Sequence, residues 1–225
     1  YTNRRYLDAI ADHVLIFDGA MGTSIQAHKP TAGDFGGEQY AGCNDYLVIT
    51  RPDLIESIHA SFLAVGCEVI ETDTFRSNRL TLGEYGLAER TLEINRAAAA
   101  LARRVADRFA AETGIPRYVA GSMGPSGMLP SSDDPDLSKI TFDALAEVFR
   151  EQAQGLVEGG ADLLLLETSQ DILEVRAAVV GVNRYFEETG TRVPLQVQVT
   201  LDTSGRMLFG TDIASALTTL EALPI

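Results

Sequence analysis

Five short apolar runs punctuate the chain, each followed by a stretch in which apolar residues recur every three to four positions. The runs cover residues 14–17, 68–72, 118–122, 163–166 and 195–200. Their length, their branched and leucine-rich content and their lack of strict alternation predict strands buried on both faces. The intervening patterns predict helices around residues 53–65, 92–109, 142–157, 172–186 and 213–223. In the second of these, Ile94, Ala98, Leu101, Val105 and Phe109 share one helix face, and in the third Phe142, Leu145, Phe149, Ala153 and Leu156 do the same. Thr50, Pro52 and Asp53 read as a helix start. Gly114 with Pro116 ends the long second helix, and Gly66, Gly159 and Gly160 close helices just ahead of strands.

Fully apolar strands alternating with helices imply a parallel sheet covered by those helices. Two architectures have this pattern, a doubly wound open sheet and a (β/α)8 barrel. The dinucleotide-binding form of the first carries a Gly-x-Gly-x-x-Gly turn, which follows none of these strands. Acids instead stand at nearly every strand exit: Asp18, Glu71 and Asp73, Glu167, and Asp202. Chemistry drawn from several strand ends on one face favours the (β/α)8 TIM barrel. About the first five βα units are here, and the chain reaches Leu223-Pro224-Ile225 where a sixth strand is expected. Residues 1–225, starting at Tyr1 rather than Met, are therefore expected to be the N-terminal part of one barrel domain in a longer protein. Five units cannot close a barrel, so the strands at 14–17 and 195–200 should keep unpaired edges and exposed apolar faces.

Composition narrows the function. Among 225 residues, 32 acids outnumber 18 bases, for a net charge of −14. Such a surface repels phosphate backbones and excludes nucleic acid as a partner. No apolar run is long enough to span a bilayer and no charged-then-apolar leader precedes the first strand, so no membrane role is expected and a cytoplasmic protein is. Cys43 and Cys67 are too few for a disulfide framework, which fits a reducing compartment, and they lack the neighbours of a metal site. Neither lysine, Lys29 or Lys139, lies at a strand end, which removes Schiff-base chemistry. His13, His28 and His59 also fall away from strand exits, and Ser122 has no base near it in sequence.

The turn Asp18-Gly19-Ala20-Met21-Gly22-Thr23 joins the first strand to a helix start. Its glycines let backbone approach a ligand closely. Free amides there would hold a carboxylate, and Asp18 would hold an ammonium. Read on its own, the turn is equally well a tight βα connection in which Asp18 caps the helix. The ring of strand-end acids has three readings: helix capping, a divalent hard-metal site such as magnesium, or recognition of a substrate ammonium by Glu167 together with Asp18. The last also accounts for the glycine turn.

Six motifs in order bring a family into view: Asp18-Gly19-Ala20-Met21-Gly22-Thr23, Cys43-Asn44-Asp45-Tyr46-Leu47, Thr50-Arg51-Pro52-Asp53, Glu71-Thr72-Asp73-Thr74-Phe75, Gly121-Ser122-Met123-Gly124-Pro125 and Glu167-Thr168-Ser169-Gln170-Asp171. From about Leu7 to Ile225 the chain resembles the homocysteine methyltransferases, and the run Ser169–Val175 resembles their cobalamin-dependent, methionine synthase branch. That resemblance implies a (β/α)8 barrel binding L-homocysteine and zinc at its strand ends. Three zinc cysteines would make the homocysteine thiolate, which takes a methyl group from methylcobalamin, replenished from 5-methyltetrahydrofolate, to form methionine. Asp18 and Glu167 would hold the amino group and the Ala20 and Met21 backbone the carboxylate. Cobalamin-carrying and folate-binding domains of the same polypeptide would be the partners. Neither Cys43 nor Cys67 matches the family's zinc cysteines, which are expected after Ile225. No catalytic residue and no metal ligand is therefore expected within this segment, and alone it should form no methionine. The alternatives are a homocysteine methyltransferase with another donor, a magnesium-dependent lyase or isomerase built on the carboxylates, and a non-catalytic amino-acid-binding module.

Overall fold

A computed structural model describes all of residues 1–225. Its sheet has four parallel strands side by side in chain order: β1 (Val69–Glu71), β2 (Tyr118–Met123), β3 (Leu163–Ser169) and β4 (Leu195–Val199). Val69 pairs with Tyr118, Ala120 with Leu163, and Leu164 with Leu195. Nine α-helices connect and cover them: α1 (Arg5–Asp12), α2 (Met21–Ala27), α3 (Leu47–Thr50), α4 (Pro52–Ala64), α5 (Arg79–Gly83), α6 (Thr91–Thr113), α7 (Phe142–Glu158), α8 (Ile172–Thr189) and α9 (Ile213–Glu221). All five helices expected from periodicity are present, within a few residues at their ends.

Two expectations need correction. Residues 14–17 do not form a full strand; a single parallel bridge joins Phe17 to Val69, flanked by bonds from Glu68 N and Val69 N to Ile16 O at 2.8 and 3.1 Å. With a neighbour on one side only, this segment leaves Val14 82% and Ile16 54% exposed, and the ladder does not extend. Thr50 does not start α4 either. It is the last residue of α3, and α4 begins at Pro52 after Arg51, with no side-chain cap. Proline at the first helical position needs no N–H partner, so the helix starts there without one.

The two faces of the sheet divide the labour. Alternate residues Val69, Tyr118, Ala120, Leu163 and Leu165 pack on one face with Tyr6 of α1, whose ring lies edge-on to Tyr118 at 6.0 Å. The Tyr6 hydroxyl donates to Gln196 Oε1 at 2.9 Å, so α1 closes this face at the N-terminal end of the strands. The other face carries Ile70, Val119, Met123, Leu164 and Leu166 into two larger cores beneath α4, α6, α7 and α8. Period-two alternation thus puts Glu71, Ser122 and Glu167 on the first face, beyond its apolar layer, at the strands' C-terminal ends.

The helical layer needs close approach at Gly181. A Cβ there would lie 2.0 Å from the Ala146 carbonyl oxygen, so α8 sits against the backbone of α7. Gly181→Ala is expected to lower stability by about 3 kcal/mol, because the clash is with backbone that cannot rotate away. Denaturant unfolding checks this; an unchanged midpoint would show that α7 and α8 part easily.

Candidate active site

Asp18, Ala20, Met21 and Glu167 all line one cavity of about 490 Å³ at the C-terminal ends of the strands. Its wall also includes Gly19, Cys43, Asp45, Glu71, Asp73, Phe75, Arg76, Tyr85 and Ser122. The volume suits a small metabolite. Five carboxyl groups (Asp18, Asp45, Glu71, Asp73 and Glu167) face a single base, Arg76, so the cavity favours a cation or the cationic end of a zwitterion.

Asp18 is placed by the Phe17 bridge and by its own N–H, which donates to Val69 O at 2.9 Å. Both oxygens of its carboxylate accept from Glu71 N at 3.1 Å. Asp18 therefore ties the turn to β1 and does not cap α2, whose cap position is Ala20 with no side-chain bond. The first main-chain bond into α2 runs from Ser24 N to Ala20 O, which leaves the Ala20 and Met21 amides without a protein acceptor. These are orphan donors of the kind that hold anions.

Glu167 reaches the cavity through a break in β3. The β3–β4 register shifts between Leu166 and Ser169, and Thr168 takes φ +59°, a left-handed conformation that β-branched residues avoid. A bulge of this kind redirects a side chain at the end of a strand. The Ser122 hydroxyl donates to Glu167 Oε1 at 2.5 Å. Helix capping, the bland reading of Glu167, falls to Asp171, which accepts from Leu173 N at 2.9 Å.

The electrostatics show carboxyl groups crowded and buried together, which raises their affinity for protons. Burial, set against hydrogen bonds from backbone N–H groups and raised further by the charge of Glu167, pushes Asp18 up to about 7. Burial and then the charges of Glu167 and Asp18 push Glu71 up to about 8. The Glu71 carboxylate has no hydrogen-bond donor or base of its own. A second acidic pair lies on the same wall: Asp45, which accepts from Arg76 N at 2.9 Å and Ser77 Oγ at 3.1 Å, and Asp73. Burial and the neighbouring Asp45 hold the Asp73 carboxyl well above the usual range. Burial, with Asp45 adding to it, pushes the Cys43 thiol up to about 12, so it stays protonated.

Asp202 does not join this ring. It is exposed in the loop after β4, accepting from Ser204 and Arg206, because this exit turns back on itself. Glu71 and Ser122 are the site residues whose weight sequence reading understated. Their signal was their parity with Glu167 along parallel strands.

The donor set does not fit zinc. Cys43 is buried at the cavity wall, Cys67 donates to the Phe17 carbonyl at 3.3 Å, and no three His, Cys, Asp or Glu side chains gather closely enough to hold an ion. The same geometry removes the support for a magnesium site on these carboxylates.

An α/β protein with a parallel sheet, whose strand ends gather acids and free amides around a metabolite-sized cavity, belongs among small-molecule enzymes and binding proteins. Within that class the chain belongs to the homocysteine S-methyltransferase family, whose model matches residues 15–225. It is 41% identical over 222 residues to a methionine synthase of Mycobacterium tuberculosis and 39% identical over 219 residues to one of Mycobacterium leprae. Each match covers 97% of this chain and 18% of the relative, so the chain spans about a fifth of their length. The homocysteine methyltransferase MmuM from Escherichia coli, in its metallated form, superposes with a TM-score of 0.78 at 21% identity, over 98% of this chain and 74% of that one. That likeness is one of fold.

Proposed function

We propose that residues 1–225 form the amino-acid-binding part of a homocysteine methyltransferase unit of the methionine synthase type. Asp18 and Glu167 hold the ammonium of L-homocysteine, with Glu71 beside them, and the Ala20 and Met21 amides hold its carboxylate. The reaction assigned to the whole protein is methylation of the homocysteine sulfur to give methionine. These residues fix the amino-acid end, leaving the thiol-bearing side chain to extend into the remaining cavity. The observation that carries this reading is the meeting of Asp18, beside β1, and Glu167, from β3 two strands away, in one cavity with two unbonded amides.

Under this reading the strands completing a (β/α)8 TIM barrel and the zinc cysteines belong to sequence following Ile225. Cobalamin-carrying and folate-binding domains would lie on the same polypeptide. The relatives' much greater length and the partial coverage of MmuM leave room for both assignments. Buried, unpaired cysteines suit a cytoplasmic setting, and no helix is long and apolar enough to cross a membrane.

Isothermal titration of L-homocysteine into the intact protein tests the site. One ligand per chain is expected, with Asp18→Asn weakening it by about thirtyfold through loss of a charge-assisted contact. Absence of binding, or indifference to Asp18→Asn, would overturn the assignment.

A further inference from the structure

We propose that Ser122 is a positioning residue for substrate binding: its hydroxyl locks the Glu167 carboxylate so that one oxygen is occupied and the other is presented to the ligand ammonium. This rests on the reading of Glu167 as an ammonium partner and adds the device that aims it.

Ser122 is 2% exposed, and both its backbone N–H and its carbonyl are hydrogen-bonded. Its N–H donates to Thr72 Oγ1 at 3.0 Å, and its carbonyl accepts from Thr74 Oγ1 at 2.7 Å. The Thr72 and Thr74 hydroxyls bond each other at 2.6 Å, and the Gln152 side-chain amide from α7 donates to Thr74 O at 2.9 Å. This polar ladder ties the exits of β1 and β2 together. The one remaining group, the Ser122 hydroxyl, donates to Glu167 Oε1.

Glu167 needs such a lock. Strand alternation sets its face, but it stands on the β3–β4 register break beside a left-handed Thr168, where no β4 pairing is recorded for it. A free glutamate side chain there would lose rotamer entropy on binding, and the hydrogen bond from Ser122 takes that loss in advance. No histidine bonds to Ser122: the His13 ring meets Asp12 and Glu68, and the His59 ring has no partner at all. The hydroxyl is thus a donor to the carboxylate and not an activated nucleophile.

The test is a double-mutant cycle by titration of L-homocysteine into the intact protein. Ser122→Ala is expected to weaken binding about tenfold and Glu167→Gln about a hundredfold. The double variant should bind within about twofold of Glu167→Gln alone, since Ser122 acts through that carboxylate. Binding of 4-mercaptobutyrate, which lacks the amino group, should be the same in Ser122→Ala and the parent. Ser122→Cys, nearly isosteric but a weak donor, should fall between parent and alanine and serves if the alanine variant unfolds. Additive losses, an equal loss for 4-mercaptobutyrate, or an unimpaired Ser122→Ala would overturn the proposal. Indifference to Glu167→Gln would instead overturn the reading of the site beneath it.

Discussion

Glu167→Gln weakens L-homocysteine binding by about 2–4 kcal/mol, the loss expected when one partner of a shielded charged hydrogen bond is removed. The substitution keeps size and shape. Its amide oxygen still accepts from the Ser122 hydroxyl, so the bulge at Thr168 and the fold around it stay in place. The effect therefore lies in the ligand contact. Gln removes a full negative charge and turns an NH2 group, itself a donor, toward the substrate ammonium. Titration in the parent and the variant gives the number directly, and an amino-free thiol acid such as 4-mercaptobutyrate provides the control. Loss for homocysteine with none for the thiol acid is the expected pattern. A change below about 0.5 kcal/mol for homocysteine would mean that Glu167 does not touch the ammonium.

The parts of this arrangement visible in the sequence are those set by local periodicity. Helices α4, α6, α7, α8 and α9 follow from apolar spacing, and all four strands from short apolar runs preceded by glycine or proline. The segment at 14–17 is apolar enough for a strand, yet strand length depends on a neighbour to pair with, and a run of residues does not report that. Helix α1 was also invisible: it is only eight residues long, and what holds it is Tyr6, its one buried residue, with Leu7 and Ala9 packed beside it beneath the sheet. At the site, Asp18 and Glu167 were legible because they stand at strand exits. Asp202 met the same criterion and lies outside, since the geometry of the loop decides where a strand-end side chain points. Glu71 was legible as an acid but not as a partner, because the mutual repulsion that marks it arises only once three strand ends converge.

That repulsion sets the pH dependence of binding. With Asp18 near 7 and Glu71 near 8, both groups hold protons at pH 6 and have released them by pH 8.5. An ammonium is held best by ionised carboxylates, so each proton lost before binding strengthens the complex. From pH 6 to 8.5 the affinity should rise about tenfold if Asp18 alone must ionise, and by nearly a thousandfold if Glu71 must as well. The stability of the empty protein runs the other way. Both folded-state values lie above the unfolded ones, so the folded chain binds more protons between about pH 4 and 8 and loses stability as pH rises through that window. The thermal gain on adding ligand should consequently be larger at pH 8.5 than at pH 6. L-2-aminobutyrate is the suitable ligand, because it carries the same ammonium and carboxylate without a thiol that titrates near 8.5. Glu71→Gln should flatten the upper part of the profile while leaving the part near pH 7, which belongs to Asp18. An affinity constant across this range would show that the carboxylates do not exchange their protons for the ammonium, and the ligand would have to sit elsewhere in the cavity.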